Sequence, residues 1–553
     1  MLVRTGEPFL PFSEPCGRAQ LTRTGYVRPP SKEDTGSTLV SRASQSGLVS
    51  GLDCRFCTHL DEWTASARLA RDRGIEAMQK LAVQELCLGR KYHARLVENL
   101  ARAYAAHSPK SAVLNERAKR TQVDGGSHAL RLIEPFPPRI VRAHGAWVED
   151  EDGHRILDFW QGHMANLLGH NPDFIASALC HAFQGGFGLQ SGFADRLQVE
   201  TAEILCHQTG AERARFTTSG TLATMYAVLL ARAFTGREAV MKVGGGWHGA
   251  QPWSLKGVRF GDDEEPGFDH VDSEGLPRSV TDSIIVTRFN DPQRLVDHFR
   301  GYGNKVACFL VEPFVGVGGF LPATREYIET ARDLTEHYGA LLVFDEVISG
   351  FRFRAGDAGA FYGVRPDLAT FAKVMGGGMP VAAVCGRADV MALAGREGGS
   401  KVRFSGGTYS AHPASLLAAK TMLEYLVLHE AEIYLRLSEL GELARRTVKA
   451  AFESEGIHVH CTGQGNEALP PSSLAMVLFP HETGWAFQTP EDVHDPAVCD
   501  PILGGEALQL ALLLEDVHVV HGLGSVSAAH TEEDIQLLGE ACRRAARRFR
   551  VFA

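Results

Sequence analysis

Short apolar runs alternate with amphipathic segments from about Val141 onward, and this alternation predicts an α/β core. The segment Val148–Phe159 predicts a hairpin, with Asp152-Gly153 as the turn between its two strands. Later runs have the length and composition of buried strands: Ala239–Val243, Ser283–Val286, Ala307–Val311, Ala340–Phe344, Leu368–Phe371 and Pro380–Cys385. Strand-like runs separated by helical segments are typical of a parallel sheet with crossover helices.

The hydrophobic pattern also divides the chain into regions. Residues 1–60 lack a sustained period and are predicted to be a disordered leader, whereas residues 61–117 carry apolar side chains near helical spacing and are predicted to be a helical appendage. We expect residues 118–163 to be an N-terminal segment that packs with a small domain. Residues 164–420 would form the large domain, and residues 421–553 the small C-terminal α+β domain.

Composition narrows the classes of partner. The 553 residues include 56 Lys and Arg against 66 Asp and Glu, and the resulting net charge of −10 does not favour nucleic acid or an anionic membrane. No apolar run reaches the roughly 18 residues of a membrane span. Eleven scattered cysteines favour a reducing, cytoplasmic location. An organelle address is an alternative, although residues 1–50 hold four acidic side chains beside six basic ones.

Cys54 and Cys57 form a Cys-x-x-Cys pair, and His59 follows directly. A structural zinc site needs four ligands, and only Cys87 and His93 lie near enough in sequence to supplement them. We therefore predict ordinary reduced thiols and no metal.

The strongest candidate chemistry lies between residues 340 and 380. Asp345 ends one apolar run and Lys373 follows another, so both are expected at the carboxyl edge of the sheet, where α/β proteins bind ligands. An aspartate beside a pyridine nitrogen keeps the ring protonated, and a lysine amine forms a Schiff base with an aldehyde. Pyridoxal phosphate requires this pair. The alternative is an aspartate that caps a helix and an exposed lysine on a glycine loop.

Two earlier segments could complete such a site. Thr217–Thr221 precedes a helical stretch, so its hydroxyls and backbone N–H groups suit a phosphate at a helix N-terminus. Gly244–Gly249 contains Trp247, whose aromatic face could stack on a planar ring. Each segment taken alone is also explained by an ordinary N-cap or by an aromatic packing anchor.

Taken in order, these segments resemble the class-III pyridoxal-phosphate aminotransferases, and most closely the glutamate-1-semialdehyde aminomutase group. The resemblance covers roughly residues 118–553. It implies fold type I, with a mostly parallel central sheet, helices on both faces and a smaller α+β domain. The matching motifs are Asp152-Gly153 with Asp158, Leu168–Pro172, Ser219-Gly220-Thr221, Trp247-His248-Gly249, Val311-Glu312-Pro313, Phe344–Val347 with Gly350-Phe351-Arg352, Lys373 with Gly376–Pro380, Gly407-Thr408 and Ala529–Ile535.

The resemblance implies two catalytic residues. Lys373 would form the Schiff base with the cofactor and carry the proton between substrate and cofactor, and Asp345 would pair with the pyridinium nitrogen. Thr408 would reach the phosphate from the other subunit, so a homodimer is implied. The full implied set of cofactor-binding residues is Ser219, Gly220, Thr221, Trp247, His248, Asp345, Val347, Lys373 and Thr408.

Three positions depart from the family pattern. Leu222 stands where the family commonly has glutamate, and Val315 and Val317 stand where it places an amide near the cofactor hydroxyl. We expect these exchanges to make the pocket more apolar, for a more apolar substrate or weaker catalysis. His163 is expected near the substrate mouth, from its position before the Gly169-His170 stretch, and Arg352 could bind a carboxylate or be structural. Neither residue is counted in the predicted site.

The predicted function is that of an aminotransferase that moves an amino group from a small-molecule amino donor to an aldehyde or ketone acceptor. An intramolecular aminomutase uses the same residues and is the closest alternative. A cofactor-binding module without turnover is a further alternative, and racemisation or decarboxylation on the same scaffold is another. The sequence does not identify the substrate.

Overall fold

The computed structural model describes residues 92–261, 266–520, 522 and 524–551. The predicted leader, most of the predicted appendage and the Cys54–Cys57 pair lie outside the described residues. The described part begins with a helix over residues 92–107, which buries Leu96, Leu100 and Tyr104 along one face. None of the helices in the described ranges combines the length and the apolar character that a membrane crossing needs.

The central sheet has seven strands in the described part of the chain, and all six predicted runs are among them, with ends shifted by at most two residues. Six strands run parallel, and Ala382–Gly386 is antiparallel to both of its neighbours. The spatial order is Arg213–Thr217, Ala382–Gly386, Leu368–Phe371, Leu341–Asp345, Val306–Val311, Ala239–Val243 and Ile284–Thr287. The sheet is therefore mostly parallel, as predicted.

Helices cover both faces of this sheet because its strands bury alternate side chains on opposite sides. Along Val306–Val311, Cys308 and Leu310 pack in one cluster with Ala227 of the helix Gly220–Thr235. Phe309 and Val311 pack in another cluster, which includes the helix Arg325–Tyr338. The apolar runs are nearly continuous since neither face meets water.

A second sheet joins the two ends of the described chain. The predicted hairpin is present as Trp147–Asp150 and Arg155–Asp158, which pair antiparallel, and Ile140–His144 adds to its outer edge. Val517–His518 pairs parallel with Arg155–Asp158 on the other side. Residues far apart in sequence thus form one layer, against which the C-terminal helix Glu532–Val551 contributes to a shared hydrophobic cluster.

The described residues also form several short strands and further helices. Three pairs of two-residue strands are Phe314–Val315 with Leu321–Pro322, His460–Cys461 with Val477–Leu478, and Leu474–Ala475 with Gly524–Ser525. A π-helical turn spans Leu503–Ala507. The other helices are Pro109–Lys119, Asp173–Gln184, Arg196–Thr209, Arg278–Thr281, Pro292–Tyr302, Gly359–Tyr362, Ala388–Met391, Pro413–Leu428, Glu430–Ser454, Pro490–His494 and Leu508–Leu513, and Gln161–Met164 forms a single left-handed turn.

Arg352 is a structural residue that connects several segments beneath the sheet edge. It is 2% exposed, and its Nε donates to the Ile348 carbonyl at 2.8 Å. Its terminal nitrogens donate to the Met164 carbonyl and to the hydroxyls of Ser473, at 3.3 Å, and Ser525, at 3.4 Å. Burial lowers the pKa of this guanidinium to about 10. Arg352 is therefore structural, and it is not among the residues that line the cavity at the sheet edge.

Replacing Arg352 should destabilise the fold. We expect Arg352→Leu to lower the free energy of unfolding by about 3 kcal/mol, because buried carbonyls lose their donors. Chemical denaturation monitored by circular dichroism measures this change. The matched control is Arg300→Leu, an exposed arginine whose ion pair with Asp297 should contribute less than about 1 kcal/mol. Equal, small effects of both substitutions would contradict the structural role.

Candidate active site

Lys373 and Asp345 meet at the carboxyl edge of the central sheet. Asp345 is the last residue of Leu341–Asp345, and Lys373 follows the adjacent parallel strand Leu368–Phe371 by two residues. Both residues line one cavity of about 300 Å³. Ligand sites in open α/β sheets lie at this edge, so the predicted pair occupies the expected position.

Three hydrogen bonds fix the Asp345 carboxylate, which is 2% exposed. One oxygen accepts from the Thr370 hydroxyl at 2.9 Å and from the Val347 backbone N–H at 3.1 Å, and the other lies 2.8 Å from His248 Nδ1. Burial lowers the pKa of His248, so its ring is neutral and its Nδ1–H donates to the carboxylate. The carboxylate therefore has a fixed orientation and a stabilised charge.

Lys373 has an amine that is deprotonated unusually easily. Burial lowers its pKa to about 8, and the nearby charge of Arg352 acts in the same direction, against the opposing charges of Glu312 and Asp345. Its backbone is left-handed, with φ of 48°, which is uncommon for a residue other than glycine. Such backbone conformations concentrate at functional sites. A lysine with this pKa is partly deprotonated near neutral pH, so a fraction of its amine is neutral and nucleophilic.

Glu312 is a buried cavity residue that the sequence analysis quoted only as part of a motif. Its two carboxylate oxygens each accept a backbone N–H at 3.0 Å, from Trp247 and from Gly316. Burial raises the pKa of Glu312, and the charge of Asp345 adds to this effect. Glu312 therefore anchors the glycine-rich segment that carries Trp247. Its position directly after the buried strand Val306–Val311 was the signal that could have revealed it.

The predicted phosphate segment lies at a helix N-terminus within the same cavity. Ser219 caps the helix Gly220–Thr235, and its hydroxyl accepts from the Leu222 N–H at 3.3 Å. The first turn of a helix presents unpaired N–H groups and a partial positive charge. A Cβ on Gly220 would lie 3.0 Å from a Val347 methyl group, so glycine allows the close approach of this turn to Val347.

Eight of the nine predicted site residues line the cavity. The exception is Thr408, which is exposed and lies outside it. Its predicted contribution to a neighbouring subunit stays a prediction. The eight residues are Ser219, Gly220, Thr221, Trp247, His248, Asp345, Val347 and Lys373.

The three departures from the family pattern do not all fall in the cavity wall. Val317 lines the cavity, whereas Val315 is buried in the short strand Phe314–Val315, and Leu222 packs against a hydrophobic cluster and is not among the lining residues. The expectation that three exchanges make one pocket more apolar was therefore wrong for two of them. The spacing along the chain indicated that these residues lie near the cavity but not whether their side chains line it.

The mouth of the cavity contains two residues that sequence reasoning did not include in the site. Arg131, at the end of the short turn Ala129–Arg131, and His163 both line the cavity. The Arg131 Nε donates to His163 Nε2 at 3.2 Å. Arg131 and Lys373 are the two basic side chains, histidine aside, among the described lining residues. No local motif marks Arg131, because its role depends on a contact with a segment 32 residues later.

One group of possible metal ligands occurs among the described residues, and it lies outside the cavity. His107, His154 and Asp516 place ligand atoms within 4.8 Å of one another. The two imidazole rings stack with their planes 23° apart, so their in-plane lone pairs do not converge on one point. This arrangement does not suit a shared metal ion.

Comparisons with known sequences identify the family that this chain resembles. The sequence profile of the family described as Aminotransferase class-III matches residues 133–460. A glutamate-1-semialdehyde 2,1-aminomutase from Halorubrum lacusprofundi is 36% identical over 362 residues, which are 65% of this chain and 76% of that protein. The enzyme of the same name from Neisseria meningitidis is 34% identical over 353 residues, covering 63% of this chain and 80% of that protein.

Solved structures show the same fold. An ω-transaminase from Sphaerobacter thermophilus superposes with a TM-score of 0.70 at 28% identity, over 80% of this chain and 98% of that one. A β-phenylalanine aminotransferase from Variovorax paradoxus gives a TM-score of 0.70 at 28% identity, over 82% of this chain and 96% of that one. The fold is therefore fold type I, and since the family profile spans more than half of the sequence, the chain belongs to the class-III aminotransferase family of pyridoxal-phosphate-dependent enzymes.

Proposed function

We propose that the chain is an aminotransferase that moves an amino group from a small-molecule amino donor to an aldehyde or ketone acceptor. The observation that carries the proposal is the pairing, in one cavity, of a lysine with a lowered pKa and an aspartate held by three hydrogen bonds. The cofactor is pyridoxal 5′-phosphate.

The residues present fit this cofactor at each of its polar ends. Lys373 offers a neutral amine to the aldehyde, and Asp345 offers a fixed negative charge to the ring nitrogen. The helix that begins at Gly220 offers N–H groups to the phosphate. When bound, the cofactor would supply an aldehyde that reacts with amines and a ring that withdraws electrons. The protein supplies orientation and charge.

Each protein group then has a separate task. Lys373, with its pKa of about 8, exists in both protonation states near neutral pH and can accept or return a proton at its Nζ. Asp345 would stabilise positive charge at the ring nitrogen, and His248 keeps that carboxylate in place. Trp247 and Val347 supply flat and branched apolar surfaces for the two faces of the ring.

Arg131 supports a substrate that carries a carboxylate. Its guanidinium lines the mouth of the cavity and can bind a carboxylate through two parallel hydrogen bonds. The related ω-transaminase and β-phenylalanine aminotransferase carry the names of amino-transferring enzymes. Amino acids are therefore the first donors to test.

The assembly and the domain boundaries belong to the same proposal. One hydrophobic cluster joins buried residues between 96 and 159 to buried residues between 440 and 549, which supports the packing of segment 118–163 with the small domain 421–553. The large domain would be residues 164–420. Exposed Thr408 fits a role at the neighbouring subunit of a homodimer in the cytoplasm.

An intramolecular aminomutase is the second candidate, favoured by the names of the curated relatives. It would use the same residues, because it differs only in returning the amino group to the same molecule. A module that binds the cofactor without turnover is the third candidate. An isotope experiment separates all three.

A nitrogen-15 transfer assay tests the proposed function. We expect holoenzyme incubated with ¹⁵N-labelled amino acids and unlabelled aldehydes or 2-oxo acids to yield a ¹⁵N-labelled amine from the acceptor, as measured by mass spectrometry. Conversion of glutamate-1-semialdehyde to an isomer of equal mass, with no transfer between separate donors and acceptors, would instead identify an aminomutase. If neither reaction is observed, the protein is a module that binds the cofactor without turnover.

The lowered pKa of Lys373 predicts how cofactor capture depends on pH. Only the deprotonated amine is nucleophilic, so the rate at which apoenzyme binds pyridoxal phosphate should rise with pH, with its midpoint at about pH 8. Rapid mixing followed by visible absorbance measures this rate. Free N-acetyl-lysine, with an ordinary pKa of about 10.4, is the matched control. A midpoint for the enzyme equal to that of the free amine would contradict the assigned pKa.

A further inference from the structure

The mouth of the cavity contains an arginine whose direction is set by one hydrogen bond. Arg131 Nε donates to His163 Nε2 at 3.2 Å, across 32 residues of sequence. The terminal NH₂ groups of Arg131 have no hydrogen-bond partner among the described residues. They remain available to a carboxylate, which binds such a pair of donors in a bidentate manner.

The His163 ring is itself held from two sides. Its centroid lies 4.1 Å from the Trp160 ring and 4.6 Å from the His128 ring. These contacts restrict the imidazole to one region of the cavity wall. Because Nε2 accepts a hydrogen bond from a permanent cation, the ring proton must sit on Nδ1.

The backbone around His163 is also unusual. Gln161, Gly162, His163 and Met164 all have positive φ values between 46° and 62°. Buried Asp158 anchors the start of this turn, since its carboxylate accepts from the Gln161 N–H at 2.9 Å and its carbonyl accepts from the Gln161 side chain at 2.7 Å. Consecutive left-handed residues other than glycine cost free energy, and they persist where the surrounding structure holds them.

We propose that His163 is a positioning residue that sets the specificity of the enzyme for donors with a carboxylate. It fixes the guanidinium of Arg131 through Nε, so that the two terminal NH₂ groups of Arg131 are presented together to the carboxylate. This inference rests on the proposed function, in which Arg131 binds the substrate. His163 itself touches Arg131 and is not assigned a chemical step.

A positioning role of His163 and a packing role predict different effects of substitution on the donors. A packing residue would affect all donors equally, through the stability of the site. A residue that orients Arg131 affects the affinity for donors that carry a carboxylate and leaves the same amines without the carboxylate unchanged. The comparison therefore needs donors that differ in this group alone.

The test uses two substitutions of His163 in the full-length holoenzyme. His163→Phe keeps a ring against Trp160 and removes the acceptor, whereas His163→Gln restores an acceptor at a similar distance from the backbone. Both residues are unbranched at Cβ, so their backbone cost at φ of 61° is comparable. The donor pairs are alanine with ethylamine and β-phenylalanine with 1-phenylethylamine. The readouts are kcat and KM, with visible absorbance to verify cofactor binding.

We expect His163→Phe to raise KM for the carboxylate donors by about tenfold, with kcat within about twofold of wild type, and His163→Gln to recover most of the affinity. KM for the amines should not change. If wild type transfers nitrogen but His163→Phe keeps KM within about twofold for every carboxylate donor, the role of His163 is wrong while the proposed function stands. If the wild-type enzyme transfers nitrogen from none of the donors, the proposed function, on which the role of His163 depends, is wrong.

Discussion

The burial of Lys373 away from water is the constraint on which the site depends. An ammonium group that loses its hydration becomes easier to deprotonate, and in this protein burial outweighs the attraction of two nearby carboxylates. The parallel strands Leu341–Asp345 and Leu368–Phe371 place the amine and the principal carboxylate at one edge. The same burial that prepares the amine makes an unpartnered carboxylate beside it costly.

The two carboxylates of the cavity satisfy that requirement in different ways. Asp345 accepts from a hydroxyl, an imidazole and a backbone N–H, so its charge is well stabilised. Among the described residues, Glu312 accepts from two backbone N–H groups, and burial together with the charge of Asp345 raises its pKa. The two acids that line this cavity therefore differ in what they contact, and Glu312 supports the backbone of Trp247.

Much of this arrangement could be predicted from the sequence because it depends on local patterns. Continuous apolar runs predicted the buried strands, and the ends of two such runs located Asp345 and Lys373. The edge strand Arg213–Thr217 was missed, since Arg213 and Arg215 interrupt its apolar pattern. Arg131 was missed, and His163 was expected only near the substrate mouth, for a different reason. Their contact joins two turns with no shared period, and only the folded chain brings them together.

Reduction of the holoenzyme with borohydride, followed by peptide mapping, tests the central claim most directly. Borohydride makes the link between lysine and cofactor permanent, so the modified peptide identifies the lysine that holds the cofactor. The structure predicts one added pyridoxyl phosphate group per chain, on the peptide that contains Lys373. Modification of a different lysine, or none under conditions where the cofactor is bound, would contradict the assignment of this cavity as the active site.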